Sequence, residues 1–203
     1  MKFESVCVLG LGYIGLPTAS TFATNGLRVI GVDVNPQIIA GLQNGELHIY
    51  EPGLRTVVQA ALRSGNLRIR AEVEPADAFI IAVPTPFYED KSADMRYVVS
   101  ATEMILPHLR RGNLVVLEST SPPRTTLDLV RPILERSGLK MGQDFMLAYT
   151  PERVLPGQIL RELIENTRII GGIDRASAEA GRDRYGTFVR GDILLTDATT
   201  AEM

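Results

Sequence analysis

Residues 8–15 read Val-Leu-Gly-Leu-Gly-Tyr-Ile-Gly, a G-x-G-x-x-G pattern between a short apolar run and a longer amphipathic stretch. Each glycine has its own role where such a pattern joins a strand to a helix. Gly10 permits a tight turn, Gly12 lets the backbone approach a pyrophosphate, and Gly15 lets the helix pack against the strand. The start of the helix, at Tyr13 and Ile14, offers free N–H groups to the anion. The stretch therefore predicts a dinucleotide-binding turn.

An acidic residue supports this interpretation. Asp33 ends the second strand-like run, about 20 residues beyond the glycines, which is the usual spacing for a carboxylate that binds ribose hydroxyls. A carboxylate there repels a 2′-phosphate, and Val34 and Asn35 follow where an NADP enzyme usually carries Arg or Lys. We therefore expect NAD as the cofactor. An S-adenosylmethionine methyltransferase could use a similar acid, and it is kept as the competing ligand class.

Outward from these residues, apolar β-branched runs alternate with amphipathic stretches along the whole chain. This order is typical of an α/β protein with a doubly wound parallel sheet and helices on both faces, a Rossmann-like fold whose ligand crevice lies at the carboxyl ends of the strands. The predicted strands are 5–10, 27–33, 67–70, 78–83, 114–118, 145–149, 168–172 and 193–195. The predicted helices are 13–25, 36–44, one ending near 64–65, 95–109, 123–136, 159–165, 175–185 and one starting near 199.

Composition excludes several other classes. The chain has 203 residues, 45% of them hydrophobic and 22% charged, with a net charge of −3, so it provides no broad positive field for nucleic acid. No apolar run is long enough to span a membrane and no signal-peptide pattern opens the chain, which predicts a soluble cytoplasmic protein. One cysteine, Cys7, and two separated histidines make a disulfide or a metal site unexpected.

Two further strand ends converge on the predicted crevice. Pro84 and Thr85 follow the run 78–83, where two prolines would fix a loop and Thr85 could hydrogen-bond the cofactor; a rigid surface turn is the alternative. Thr120 follows the run 114–118, and Thr126 lies in the first turns of the next helix. We expect both near the nicotinamide end; the alternative is that this segment serves only the helix, with Ser121 as its N-cap.

Taken in order, these motifs resemble one family, the nucleotide-sugar 6-dehydrogenases, which oxidise UDP-hexoses to uronic acids. The similar segments are 10–19, Glu51-Pro52-Gly53-Leu54, 82–86 and Glu118-Ser119-Thr120, and they cover the cofactor domain of that family. The segments 149–157 and 162–172 are most similar to the N-acetylmannosamine branch, because UDP-glucose dehydrogenases usually carry Glu where this chain has Pro156. Arg124 stands where the family generally has Gly.

The resemblance implies a four-electron oxidation of UDP-N-acetylmannosamine, or a related UDP-sugar, at C6 with two NAD. In it, Glu152 and Thr120 would position and activate a water, while Arg153, Val154 and Leu155 would contact the nucleotide sugar. The Pro-Glu-Arg triplet alone would instead indicate a solvated loop acid. UDP-glucose 6-dehydrogenase and a noncatalytic nucleotide-binding module are the alternative functions.

The resemblance also implies a division of the chain. Residues 1–197 would form the NAD-binding domain, and residues 198–203 would start a central helix through which the family forms homodimers. The catalytic Cys, Lys and Asn of the family lie beyond a sequence like Thr200-Ala201-Glu202-Met203. Cys7 lies in the first apolar strand, where a thiolate is costly, so it is not expected to replace that nucleophile.

Overall fold

The computed structural model describes residues 3–203, which form one eight-stranded sheet with helices on both faces. The strand order is β3-β2-β1-β4-β5-β6-β7-β8. In chain order the strands are β1 Ser5–Leu9, β2 Arg28–Val32, β3 Leu67–Arg70, β4 Ala78–Ile81, β5 Leu114–Leu117, β6 Met146–Tyr149, β7 Arg168–Gly172 and β8 Ile193–Asp197. The predicted Rossmann-like α/β fold is confirmed.

The direction of the last two strands differs from the all-parallel prediction. Strands β1 to β6 run parallel, whereas β7 pairs with β6 in antiparallel register, Ala148 opposite Gly172 and Tyr149 opposite Gly171. Strand β8 is parallel to β7 and is therefore reversed too. As a result, β7 begins at the edge of the sheet where β5 and β6 end, and its first residue, Arg168, lies there.

Within residues 3–203, eight α-helices connect and cover the strands. They are α1 Gly15–Thr24, α2 Pro36–Gln43, α3 Leu54–Arg63, α4 Arg96–Ile105, α5 Arg131–Glu135, α6 Ile159–Glu165, α7 Arg175–Tyr185 and α8 Ala198–Glu202. Most bounds lie within about two residues of the predicted ones, which is the usual uncertainty of helix ends. At its start α2 has Asn35, whose side chain accepts from the Gln37 N–H, with Pro36 in the first turn.

The helix predicted from Pro123 begins later. The residues after Pro123 include Arg124 in the left-handed region, with φ 74°, and helical structure starts as a π-helical turn at Thr126–Val130 that continues into α5. A left-handed residue cannot continue a right-handed helix, so the prediction of Pro123 in the first turn was wrong. The positive φ also gives a physical reason why glycine suits position 124.

Alternation along the strands divides the core into two layers. In β1, Val6 and Val8 face the layer that packs under α1, α3 and α7, while Cys7 and Leu9 face the layer under α4, α5 and α8. All four are at most 2% exposed. Successive side chains of a strand point to opposite faces, so a sheet that helices cover on both faces needs apolar residues at consecutive positions. This burial fixes the position of the strand ends.

The described residues, 3–203, contain neither a membrane-spanning helix nor a group of side chains able to bind a metal ion. No helix in that range is both long and apolar enough to cross a bilayer. In the same range, no three His, Cys, Asp or Glu side chains form a group able to hold a metal ion.

Candidate functional site

The glycine loop between β1 and α1 is shaped by close backbone contacts. Gly10 has φ +90°, and a Cβ there would lie 2.5 Å from the carbonyl oxygen of Ala82 at the end of β4. A Cβ on Gly15 would lie 1.8 Å from the carbonyl oxygen of Gly10. These two glycines are therefore required for the fold of the loop itself.

Gly12 differs from the other two glycines because a Cβ there would meet no atom within 4 Å. The residue before α1 is Ile14, whose side chain has no acceptor, so the first N–H groups of this ten-residue helix receive no side-chain cap from that position. The positive end of the helix dipole and open space at Gly12 fit the pyrophosphate of a dinucleotide.

Asp33 lies beside this loop, one residue after β2. Its carboxylate accepts the N–H of Leu11 at 2.9 Å and the N–H of Asn35 at 2.9 Å, one with each oxygen. Both hydrogen bonds hold the carboxylate at the edge of the glycine loop, and the side chain is only half-buried. The carboxylate and the loop together form a cradle whose shape and hydrogen-bonding groups fit a phosphate and a ribose.

The other predicted cofactor residues lie at different depths. Tyr13 is 44% exposed and donates its hydroxyl to the Tyr50 carbonyl at 3.2 Å. Pro84 is exposed and Thr85 half-buried in the loop after β4, and Thr120 is exposed just after β5. The Ser119 hydroxyl donates to the Val83 carbonyl at 2.7 Å and ties these two loops together.

Thr126 is placed differently from the exposed threonines. It is fully buried, and both its N–H and its hydroxyl donate to Oε1 of Glu202, at 2.7 and 2.6 Å. The other oxygen of Glu202 accepts the N–H of Arg124. The carboxylate of Glu202 thereby accepts from N–H groups at the start of the π-helical turn. The hydroxyl of Thr126 is hydrogen-bonded to this residue of α8.

Glu152 is not a solvated loop acid. Its side chain is 7% exposed, and one carboxylate oxygen pairs with the guanidinium of Arg168. The other oxygen accepts the backbone N–H of Arg153 at 2.9 Å. Both oxygens are therefore held, although Glu152 lies in the irregular segment after β6.

Arg168 also binds Glu118, the residue that follows β5. Its Nη1 donates to Oε1 of Glu118 at 2.9 Å, and the Tyr185 hydroxyl donates to the same oxygen at 3.2 Å. The guanidinium carbon lies 4.4 Å from the centre of the Tyr185 ring. Burial raises the pKa of the Glu118 carboxyl to about 7, because loss of water disfavours the charged form more than Arg168 stabilises it.

The segment 153–157 follows Glu152 and is fixed by two acids. The Leu155 N–H donates to Glu162 at 2.7 Å. Glu51, from the loop before α3, accepts the N–H of Gly157 at 2.9 Å and the N–H of Ile159 at 2.8 Å. Arg153 and Leu155 are exposed and Val154 is half-buried, so this segment presents side chains at the edge of the sheet.

Sequence reasoning assigned no role to several of these residues. Glu118 and Glu51 lie within the short motifs that resemble the family, and Arg168 and Glu202 lie within its longer segments. A charged residue directly beside a buried apolar strand is the one signal that could have marked Glu118 and Arg168, since such residues are rarely buried without a partner. Cys7 is fully buried, and burial raises its pKa to about 12, so its thiol is protonated at neutral pH.

Residues 4–189 match the NAD binding domain of the UDP-glucose/GDP-mannose dehydrogenase family. The chain belongs to this family. The resemblance predicted from the motifs is thus confirmed, and so is the assignment of NAD as the cofactor of this domain.

Relatives in the family agree with this assignment. The chain is 50% identical over 204 residues to the UDP-N-acetyl-D-mannosamine dehydrogenase of Methanococcus maripaludis (strain C7), covering 98% of this chain and 46% of the relative. It is also 50% identical over 210 residues to the NDP-N-acetyl-D-galactosaminuronic acid dehydrogenase of Ralstonia solanacearum, covering 100% of this chain and 50% of the relative. The chain spans about half the length of the curated relatives it matches.

Solved structures give the same family. The UDP-N-acetyl-mannosamine dehydrogenase Cap5O from Staphylococcus aureus superposes with a TM-score of 0.95 at 50% identity, over 98% of this chain and 48% of that one. A UDP-glucose dehydrogenase from Pyrobaculum islandicum superposes with a TM-score of 0.87 at 36% identity, over 99% of this chain and 48% of that one.

Proposed function

We propose that this chain is the cofactor-binding half of an NAD-dependent dehydrogenase that oxidises UDP-N-acetyl-D-mannosamine at C6 to UDP-N-acetyl-D-mannosaminuronate, for a bacterial surface polysaccharide. One observation carries the proposal: the glycine loop and Asp33 form a cradle for NAD at the same edge of the sheet as a buried, fixed carboxylate, Glu152. A noncatalytic nucleotide-binding module would need the cradle but not Glu152.

The cradle would hold NAD through the N–H groups around Gly10, Gly12 and Gly15, with Asp33 binding the ribose hydroxyls. Tyr13, Ile14, Pro84 and Thr85 would border the dinucleotide, and Thr120 and Thr126 would lie toward its nicotinamide end. When bound, NAD supplies the acceptor for hydride.

The residues after β6 would serve the sugar. Glu152, with both oxygens held, would act with the exposed hydroxyl of Thr120 to orient and deprotonate a water. Arg153, Val154 and Leu155 would contact the nucleotide sugar from the segment that Glu51 and Glu162 hold in place.

The choice of sugar rests on similarity. The 50% identity to a UDP-N-acetyl-D-mannosamine dehydrogenase exceeds the 36% to a UDP-glucose dehydrogenase, which favours an N-acetylated hexosamine. Equal identity to the Ralstonia enzyme makes the corresponding galactosamine derivative the second candidate.

We also propose that residues 1–197 form the cofactor domain, that α8 starts a central helix, and that the complete enzyme is a cytoplasmic homodimer that binds neither nucleic acid nor membrane. The buried contact of Glu202 with Thr126 supports a firm junction between α8 and the domain. Sedimentation of an active enzyme that contains residues 1–203 would test the dimer.

Cofactor binding is tested by calorimetric titration of the 203-residue chain. NAD should bind at one site, NADP more weakly, and S-adenosylmethionine should give no heat. Binding of S-adenosylmethionine without binding of NAD would contradict the proposal and favour a methyltransferase.

Activity is tested in a chimera that joins residues 1–203 to the half of the Staphylococcus aureus enzyme that follows its matching segment. NADH formation should be faster with UDP-N-acetylmannosamine than with UDP-N-acetylgalactosamine or UDP-glucose. Glu152→Gln should lower kcat about 10²-fold or more, as for loss of a general base. An unchanged rate would leave Glu152 without a catalytic role.

A further inference from the structure

The reversal of β7 has one local effect at the candidate site. Because β7 runs against β6, its first residue lies level with the segment after β6, at the end of the sheet where β5 also ends. Arg168 therefore reaches two carboxylates from separate parts of the chain, Glu118 and Glu152. A parallel β7 would have placed its first residue at the opposite edge of the sheet.

Arg168 is buried and its position is fixed on every side. Its side chain is 4% exposed, one end of the guanidinium binds Glu118 at 2.9 Å, and the other end binds Glu152. The ring of Tyr185 stacks against it, with 4.4 Å between the guanidinium carbon and the ring centre. Its backbone N–H also donates to the Asp192 carbonyl at 2.8 Å. A planar fork held in this way can orient a carboxylate, whereas a flexible ammonium group cannot do so equally well.

Burying two carboxylates with one arginine is not an efficient way to stabilise a fold, because apolar residues of similar volume often do as well or better. One oxygen of Glu118, Oε2, is buried and finds no hydrogen-bond partner within residues 3–203. Glu118 thus binds Arg168 through one oxygen while its other oxygen remains an unsatisfied acceptor. This imbalance indicates that the cluster serves the group at its other end, the carboxylate of Glu152.

We propose that Arg168 is a positioning residue, which orients the Glu152 carboxylate at the edge of the crevice and is itself held by Glu118 and Tyr185. Its effect on turnover rests on the proposed function, because it acts only through Glu152. Its effect on the orientation of Glu152 does not depend on that function. Two measurements therefore distinguish the positioning role of Arg168 from the catalytic role of Glu152.

The first measurement is hydrogen exchange in the 203-residue chain. The Arg153 N–H donates to Glu152, so it reports whether that carboxylate stays in place. In Arg168→Met, Arg153 should exchange at least about tenfold faster while the amides of the glycine loop remain unchanged. Equal exchange rates in the variant and the wild type would overturn the proposal.

Arg184→Met is the matched control. Arg184 is 3% exposed, and it donates to the Phe3 carbonyl and stacks on the Phe3 ring, at the amino end of β1. Its loss should lower the melting temperature without changing exchange at Arg153. If both variants speed exchange at Arg153 equally, the effect of Arg168 is general destabilisation and the positioning role is refuted.

The second measurement is turnover of the chimera. Arg168→Met should lower kcat about 10²-fold, as for a displaced reacting group, with the KM for NAD within about twofold of the wild type. Arg168→Lys should recover part of the loss, since it restores the charge but not the fork.

The turnover rates of the variants also distinguish the positioning role of Arg168 from the catalytic role of Glu152. A large loss in Glu152→Gln with no loss in Arg168→Met would refute the positioning role while preserving the proposed function. Faster exchange at Arg153 in Arg168→Met, together with an unchanged rate in Glu152→Gln, would refute the catalytic role of Glu152 and keep the positioning role.

Discussion

Gly12 lies in the loop after β1 and Gly15 is the first residue of α1, and alanine should affect the two positions in opposite ways. A Cβ on Gly15 would lie 1.8 Å from the Gly10 carbonyl oxygen and 3.0 Å from its carbon. Both atoms belong to the backbone, so relief requires that α1 move away from β1. We expect Gly15→Ala to cost about 3 kcal/mol, at the upper end of overpacking penalties. At about 2–4 °C per kcal/mol for a domain of this size, the melting temperature should fall by about 6–12 °C.

Gly12→Ala adds a methyl group where no atom lies within 4 Å, and Gly12 does not have a positive φ. The folded chain should therefore be as stable as the wild type or more stable by up to about 1 kcal/mol. NAD binding should weaken at least about tenfold, because the methyl group projects into the space that the pyrophosphate needs. Calorimetric titration and thermal unfolding of both variants measure the two effects. Normal NAD affinity in a folded Gly12→Ala chain would refute the proposed path of the cofactor.

Four other variants test separate features. Asp33→Asn should raise the Kd for NAD about tenfold or more and reduce the preference for NAD over NADP, since it removes a charged acceptor. An unchanged ratio of the NAD and NADP affinities would contradict the role of the charge. The raised pKa of Glu118 should make the free energy of unfolding fall by up to about 3 kcal/mol as pH rises from about 4.5 to about 7. The reason is that the folded state favours the protonated carboxyl, whereas a glutamate in the unfolded chain loses its proton at lower pH. Urea unfolding of Glu118→Gln should lack this decline, and a decline of the same size would assign it to other groups. Glu202→Gln should destabilise the chain by about 1–2 kcal/mol and speed exchange of the Thr126 amide, as for a lost helix cap; unchanged exchange would show that the contact is dispensable. Arg124→Gly should stabilise the chain by about 1 kcal/mol in thermal unfolding, since glycine adopts the positive φ without strain. The substitution also removes the exposed ion pair of Arg124 with Asp128, at 2.7 Å, so destabilisation would mean that this pair outweighs the strain.

Features set by short stretches of sequence could be predicted. The glycine loop, the place of Asp33 and the bounds of β7 follow from local patterns, and the structure agrees with them. These patterns depend on contacts between near neighbours or on burial with a period of two, and both are visible in a single sequence.

Features set by distant pairs could not be predicted. The short apolar β-branched run marks Arg168–Gly172 as a strand but says nothing about its direction, so the sequence does not reveal the ion pair of Arg168 with Glu152. The contact of Glu202 with Thr126 joins residues 76 apart, and the delayed start of the helix depends on it and on the backbone of Arg124. Propensity favoured proline at the first turn, and tertiary contacts prevailed over it.

Tyr50 and Glu51 join the two sides of the crevice through a single peptide unit. The carbonyl of Tyr50 accepts the Tyr13 hydroxyl beside the glycine loop, and the carboxylate of Glu51 accepts the N–H groups of Gly157 and Ile159. These contacts with the glycine loop and with the start of α6 therefore come from two adjacent residues. A one-residue insertion between them should break at least one of these contacts, as should loss of the Glu51 carboxylate, whereas the side chain of Tyr50 should be replaceable because only its carbonyl is used.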